Sequence, residues 1–254
     1  MVNAVDLLRT SFGSLKTPVG QKLVGVFFVI QLLNFGSSYI TELSTSTMMT
    51  GASVALGLVA TVLGVAATIG GLRSFRDGEL DRENFTDNLL WPFGRILGAN
   101  LTAGIFAYAL AFVFLGPAIL LAATSGITSL SGLTGAGAGI LALGAIGAIL
   151  GLAAFIYVSV MLMLAQPFIA IDDRRMFQAL DKSIQKTKGD RLSIFAALLG
   201  ILAVYIGLLA ISGLVSTFAP EIVATVLTAV VFGSVMTPVG LKLLEELSRE
   251  LSEE

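Results

Sequence analysis

The hydrophobic positions of this chain do not alternate with polar ones but form long uncharged stretches between short charged clusters. No Asp, Glu, Lys or Arg occurs between Glu42 and Arg73, or between Arg95 and Asp172. A bilayer core requires about 20 consecutive apolar residues per helix. Six segments satisfy this requirement, the predicted spans at about 23–40, 52–72, 96–123, 136–171, 192–218 and 220–241.

The longest uncharged stretch must hold two spans and a turn. Residues 124–139 are rich in Ser, Thr and Gly, which favour a short polar loop. Gly135-x-x-x-Gly139 and Gly147-x-x-x-Gly151 would let helix backbones approach closely. That packing is expected within one chain, with a homo-oligomer interface as the alternative.

The basic residues predict the orientation. Lys and Arg near helix ends favour the cytoplasmic side, and six spans place all fifteen on that side. The opposite connections, at about 41–51, 124–135 and 218–221, hold none. We therefore predict an all-α polytopic transmembrane bundle, a single membrane domain over 1–254, with both termini cytoplasmic in the cell (cytoplasmic) membrane.

Composition excludes several functional classes. A hydrophobic content of 56% and a mean hydropathy of +0.92 are atypical of soluble domains. The absence of Cys and His removes thiol nucleophiles and the commonest general base, so we predict no enzyme, cofactor or metal site. No basic face suits a phosphate backbone, and nucleic acid is not expected. The charged N-terminal segment predicts no cleaved signal peptide.

Two charged connections, at about 77–95 and 172–189, are called the first and second elbow. Each is predicted to be an amphipathic helix lying in the membrane interface. The first has the apolar row Phe85, Leu89 and Phe93, with Trp91-Pro92 as an interfacial anchor at a bend. In the second, Asp172 and Asp173 are predicted at the helix start, where acids are favoured. Its apolar row is Phe177, Leu180 and Ile184.

The elbows are interpreted either as simple connectors or as a docking surface for anionic lipid or a cytoplasmic partner. In the second case the predicted contact residues are Trp91, Arg174, Arg175, Lys182, Lys186, Lys188 and Arg191.

The interior of the predicted spans contains no Asp, Glu, Lys or Arg, since Glu221 lies at the very start of the sixth, and this disfavours an ion-coupled transporter. Asn34, Asn100 and Gln166 are the candidate intramembrane polar contacts. They would form interhelical hydrogen bonds or line a polar pathway.

One twelve-residue segment occurs twice. Residues 12–23 (FGSLKTPVGQKL) and 232–243 (FGSVMTPVGLKL) are identical at nine positions, although the first enters a span and the second leaves one. Pro18 can begin a helix, whereas Pro238 would kink one. Side-by-side packing of the two segments is a hypothesis.

Residues 165–168 (Ala-Gln-Pro-Phe), 177–183 (Phe-Gln-Ala-Leu-Asp-Lys-Ser) and 187–190 (Thr-Lys-Gly-Asp) resemble a pattern in uncharacterised prokaryotic membrane proteins. Those proteins are related to the membrane domain of glycerophosphoryl diester phosphodiesterase. The resemblance implies a Pro-ended helix, an elbow and a further span. It does not imply phosphodiesterase activity, which belongs to a separate soluble domain. The acidic pI and low lysine content are compatible with a haloarchaeal member.

The sequence therefore predicts a non-enzymatic scaffold or accessory subunit that engages membrane lipids or a membrane-protein partner. The alternative is an uncoupled channel or facilitator for a small neutral or amphipathic solute, using Asn100 and Gln166.

Overall fold

The computed structural model describes residues 3–43, 47–102, 164–187 and 190–253, with single positions at 105, 109, 112, 113, 146, 147 and 151. The regular secondary structure of these residues is entirely helical, and none of them forms a β-strand. Contacts divide the chain into two compact units, Met1–Leu97 with Leu164–Glu254, and Gly98–Met163. In the second unit residues 98–102 are helical. A single domain over 1–254 stays a prediction.

The larger unit begins with α1 (Ala4–Gly13), a 3-10 turn (Ser14–Lys16), α2 (Pro18–Leu43), α3 (Thr47–Asp77) and α4 (Glu83–Thr86). A further helix, α5, starts at residue 90 and is described to residue 102. The chain then returns to the larger unit as α6 (Ala165–Ala170), α7 (Met176–Lys186), α8 (Arg191–Ser216), α9 (Glu221–Val226), a π-helical segment (Leu227–Phe232) and α10 (Gly233–Glu253).

Four helical stretches of the described residues are long and apolar enough to cross a bilayer: Pro18–Glu42, Thr47–Asp77, Ser193–Ser216 and Ile222–Ser252. They coincide with the first, second, fifth and sixth predicted spans. Large apolar side chains on their surfaces are exposed, among them Leu58, Ile206 and Leu214, as expected for helices that face lipid. Most of the predicted spans 96–123 and 136–171 lie outside the described residues, including Gly135 and Gly139, whereas Gly147 and Gly151 are described and helical.

One threonine and one glycine fix the turn between α1 and α2. Thr17 Oγ1 accepts a hydrogen bond from the Gly20 N–H (3.1 Å) and donates one to the Ser14 carbonyl (2.7 Å). Thr17 thus caps a helix whose first residue is Pro18, as predicted. A Cβ at Gly20 would lie 2.1 Å from the Ser14 carbonyl oxygen. Only glycine fits this position.

α2 and α3 form an antiparallel hairpin with small residues along its seam. Three glycines of α3, seven residues apart, face three side chains of α2 at the same spacing: Gly57 with Ser37, Gly64 with Ile30, and Gly71 with Leu23. The buried small residues of α3 repeat with the same period, at Ser53, Ala60, Ala67 and Ser74. The two backbones therefore approach closely, and van der Waals packing holds them together where lipid provides no hydrophobic drive.

A cluster of hydroxyl groups joins each of two helical hairpins near its turn. Between α2 and α3, Ser37 Oγ and Ser53 Oγ each donate to the other residue's carbonyl oxygen at 2.8 Å. Between α8 and the helical stretch that follows it, Ser212 Oγ donates to the Ala224 carbonyl at 2.9 Å, and Thr228 Oγ1 donates to Ser212 Oγ. The paired hydroxyl residues are 16 apart in sequence in both hairpins.

The last helix, α10, continues well past the predicted end of its span at residue 241. Its buried row lies at helical spacing, Val239, Leu243, Leu247 and Leu251, and packs against α1, α2 and α3. Charged residues interrupt this apolar pattern in the sequence. In the structure Lys242 Nζ pairs with buried Glu245 (2.6 Å) and Glu246 (2.9 Å), and Arg249 also pairs with Glu246. Paired charges allow the helix to remain packed.

The two copies of the repeated segment lie on neighbouring helices, because α10 contacts α2 and the turn Ser14–Lys16. Gly233 faces Gln31, and Leu241 and Leu23 both contact Gly71. Residue numbers thus rise along α10 as they fall along α2, so these helices are antiparallel. The side-by-side hypothesis agrees with these contacts. Pro238 lies inside α10, whereas Pro18 begins α2.

Candidate functional site

The second elbow forms a turn followed by a helix. α6 ends at Ala170, Asp173 has a left-handed backbone (φ 48°), and α7 begins only at Met176. The prediction that Asp172 and Asp173 start the helix was therefore wrong. They lie in the preceding turn, where their carboxylates are occupied by basic groups from other elements.

The first elbow is not one amphipathic helix. Only the single turn α4 forms before a bend at Asn88, whose φ is 49°, and α5 then starts at residue 90. The bend thus precedes Trp91-Pro92. Phe85 packs on α3 at Gly70, where a Cβ would lie 2.3 Å from the ring. This contact holds the elbow against the bundle.

Arginine side chains join the two elbows to each other. Arg73, near the end of α3, donates to two backbone carbonyls. One is that of Ala170, two residues before the second elbow (2.9 Å), and the other is that of Asp87 in the first elbow (2.7 Å). Arg95 donates to the Asp173 carbonyl at 2.7 Å and to its carboxylate at 2.5 Å. The two elbows therefore form one continuous surface, which we call the elbow surface.

Asp172 lies at the centre of an ion-pair cluster on this surface. Its carboxylate lies 2.9 Å from Lys182 Nζ, 3.6 Å from Arg76 and 3.7 Å from Arg174. The Lys182 ammonium also lies 4.3 Å from the centroid of the Phe168 ring, a distance at which cation and ring attract. Three basic side chains, those of Arg76, Arg174 and Lys182, are thereby paired with Asp172.

A cleft of about 790 Å³ opens beside this cluster. Its lining includes Trp91 and Arg175, together with Gly94, Arg95, Asp173 and Met176. Trp91 is 68% exposed and Arg175 is also exposed. Because Arg95 pairs with Asp173, Arg175 is the cation of the lining best placed to meet a ligand.

α7 directs its predicted apolar row away from the bundle. Its contact with the protein uses small side chains, since Ala179 and Ser183 are fully buried. Phe177 is 75% exposed, Ile184 is exposed and Leu180 is half-buried. An apolar row beside a basic cleft is the arrangement expected of a helix in the membrane interface.

The predicted contact residues therefore have different environments. Arg174 and Lys182 are held by Asp172, whereas Trp91 and Arg175 line the cleft. Lys186 is half-buried in the last turn of α7, and Arg191 is the first residue of α8. Lys188 lies outside the described residues.

The predicted intramembrane polar residues also have distinct positions. Asn34 is exposed on α2, and Gln166 is half-buried on α6. Asn100 is an exposed helical residue of the smaller unit.

The sequence pattern did not indicate the contacts that Arg73, Arg95, Asp172 and Asp173 make around the elbows. In the sequence, Arg73 and Arg95 served only to predict the orientation in the membrane. Asp172 and Asp173 were predicted to lie at the start of a helix. Two of the contacts join residues far apart in sequence, with separations of 97 residues for Arg73 to Ala170 and 78 for Arg95 to Asp173. A local pattern contains no signal for such contacts.

The described residues are helical, with four helices long and apolar enough to cross a membrane, and this indicates the class of α-helical membrane proteins. Within the described part, no group of three or more His, Cys, Asp or Glu side chains is arranged to hold a metal ion. Comparisons with protein-family models, curated proteins and solved structures find no match for the chain. Function must therefore be argued from the elbow surface and the cavities themselves.

Proposed function

We propose that this chain is a non-enzymatic scaffold or accessory subunit of the cell membrane that engages lipid or a partner protein through the elbow surface. The observation that carries the proposal is the cleft that places exposed Arg175 beside exposed Trp91. The outward apolar row of α7 lies next to it.

Anionic lipid is the ligand that this surface suits best. A guanidinium binds phosphate oxygens through charge-assisted hydrogen bonds. Indole rings favour the headgroup level of a bilayer, and a row such as Phe177 and Ile184 favours the adjoining acyl region. The three features occur together on one side of the larger unit, so a lipid can satisfy all of them.

The proposed topology has six spans with both termini cytoplasmic. The one-sided distribution of the Lys and Arg residues supports it, as do the four long apolar helices. Relationship to the membrane domain of glycerophosphoryl diester phosphodiesterase is likewise a proposal. The order of α6, the elbow helix α7 and the long helix α8 supports it.

The topology can be tested with single cysteines, because the chain has none of its own. Gln178 on α7 and Met48 at the start of α3 are both exposed. We expect a membrane-impermeant maleimide to label Gln178→Cys from the cytoplasmic side and Met48→Cys from the opposite side. Labelling of both from the same side would contradict the proposed orientation.

Lipid binding can be followed through Trp91, the only tryptophan of the chain. In maltoside micelles, dihexanoyl phosphatidylglycerol is expected to change the fluorescence of Trp91 in a saturable way. The change should be larger than the one caused by dihexanoyl phosphatidylcholine. Arg175→Gln should weaken the effect about tenfold, because one charge-assisted hydrogen bond contributes about 1.5–3 kcal/mol.

Arg82→Gln is the matched control, since Arg82 is exposed outside the cleft. An unchanged response in Arg175→Gln would reject the lipid site. Stoichiometric recovery of a protein partner, without any lipid response, would leave the scaffold part of the proposal and remove lipid as its ligand.

The alternative of an uncoupled channel stays a prediction. It depends on the third and fourth spans, most of whose residues lie outside the described part of the chain.

A further inference from the structure

A second cavity lies at the end of α2 that is farthest from the elbows. It has a volume of about 300 Å³ and is lined by Phe35, Ser38, Tyr39 and Glu42 of α2, with Ile222 and Thr225 of α9. The four α2 residues are spaced three and four apart, so they share one face of the helix. The volume is at the lower end of the range for small-ligand sites.

Aromatic rings form one wall of this cavity. The rings of Phe35 and Tyr39 stack with their centroids 5.8 Å apart and their planes 18° from parallel. In such a pair each ring keeps one face free of the other. The face of an aromatic ring is electron-rich and attracts ammonium groups, including quaternary ones.

Glu42 supplies a carboxylate one turn beyond Tyr39 and is exposed. No Lys or Arg occurs between Lys22 and Arg73, or between Arg191 and Lys242. The helices that form the cavity thus bring no positive charge to this end of the bundle. A negative potential beside aromatic rings in low-dielectric surroundings favours a cation.

The groups around the cavity distinguish among cations. An inorganic ion such as Mg²⁺ or Ca²⁺ prefers several oxygen ligands at short distances. Among the described lining residues the carboxylate of Glu42 is accompanied by rings and by the hydroxyls of Ser38 and Thr225. A carboxylate beside aromatic rings matches a weakly hydrated organic ammonium. Its positive charge can meet Glu42 while its carbon atoms lie against Tyr39.

We propose that this cavity binds an organic ammonium group, carried either by a lipid headgroup or by a free solute. The site is separate from the elbow surface and does not depend on its proposed function. On the proposed topology it faces the outer side of the membrane.

The test uses the full chain in nanodiscs of phosphatidylglycerol, which contain no ammonium group. Saturation-transfer NMR measures the binding of tetramethylammonium through its methyl protons, at constant ionic strength set with sodium. We expect saturable binding that Glu42→Gln and Tyr39→Leu each weaken at least tenfold. Tyr39→Phe should retain it, because the ring remains.

Glu79→Gln is the matched control, since Glu79 is an exposed acid at the elbow end of α3. Absence of saturable binding, or equal binding by Glu42→Gln and the wild-type chain, would overturn the proposal. Choline and dihexanoyl phosphatidylcholine then compete against tetramethylammonium. Stronger displacement by the lipid assigns the site to a headgroup, and stronger displacement by choline assigns it to a free solute.

Discussion

Gly20→Ala is expected to lower the free energy of unfolding by about 3 kcal/mol, a large effect for adding one methyl group. The added Cβ would lie 2.1 Å from the Ser14 carbonyl oxygen and 2.7 Å from its carbon. Both are backbone atoms, so no side-chain rotation can relieve the overlap. The cap formed by Thr17 at the start of α2 must open, and the loss should appear as a lower midpoint of thermal unfolding in detergent.

The repeated segment provides the matched control. Gly240 occupies the equivalent place in the second copy, and a Cβ there would meet no atom within 4 Å. Because alanine favours the interior of a helix over glycine by about 1 kcal/mol, Gly240→Ala should leave stability unchanged or slightly raised. Equal destabilisation by both changes would contradict the turn geometry described for Gly20.

Arg73→Gln is expected to release both elbows from α3. The substitution removes two hydrogen bonds from a charged donor, one to the Ala170 carbonyl and one to the Asp87 carbonyl. Each contributes about 1.5–3 kcal/mol, so the loss is expected to be about 3–6 kcal/mol in total. Cleavage by a Glu-specific protease after Glu79 and Glu83, in the first elbow, should become faster.

Two further variants make this result specific. Arg73→Lys keeps the charge but cannot reach two carbonyls with one planar fork, and it should lie between the wild type and Arg73→Gln. Arg82→Gln removes an exposed arginine of the first elbow. The protease should cleave this variant at the wild-type rate. Unaltered cleavage of Arg73→Gln would show that the elbows are held without Arg73.

Four long apolar helices were predictable from the sequence, because burial in lipid favours such stretches as helices. A stretch of about 20 apolar residues crosses a bilayer as a helix whatever its partners are. α2, α3, α8 and the stretch Ile222–Ser252 follow from that requirement alone. Three of them are longer in the structure than the predicted spans, since a helix can continue beyond the apolar core, whereas α8 (Arg191–Ser216) is close to the predicted 192–218.

The extension of α10 to Glu253 shows why the last helix continues past residue 241, the predicted end of its span. Hydropathy counts Lys242, Glu245 and Glu246 as three separate charges. In the structure the lysine lies between the two carboxylates, and both glutamates are buried. Pairing along one helix face changes the cost of burial, which a sum over single residues does not include.

The elbow surface was predictable only in part. The apolar row of α7 follows from periodicity, and the row is indeed displayed outward. The role of Asp172 does not follow from it, since Arg76 and Lys182 approach that carboxylate from different elements. The helix dipole favours an acid at a helix start, but in the structure Asp172 lies in the preceding turn and pairs with Arg76 and Lys182.

The packing of α1 bears on the order in which the protein is assembled during synthesis. α1 precedes every span, yet it lies against α10, the last helix, and against α8. The α2–α3 hairpin can close as soon as its own residues are inserted, because its contacts are local. α1 cannot complete its contacts until α10 has been made, so the full docking of the first helix follows synthesis of the last one.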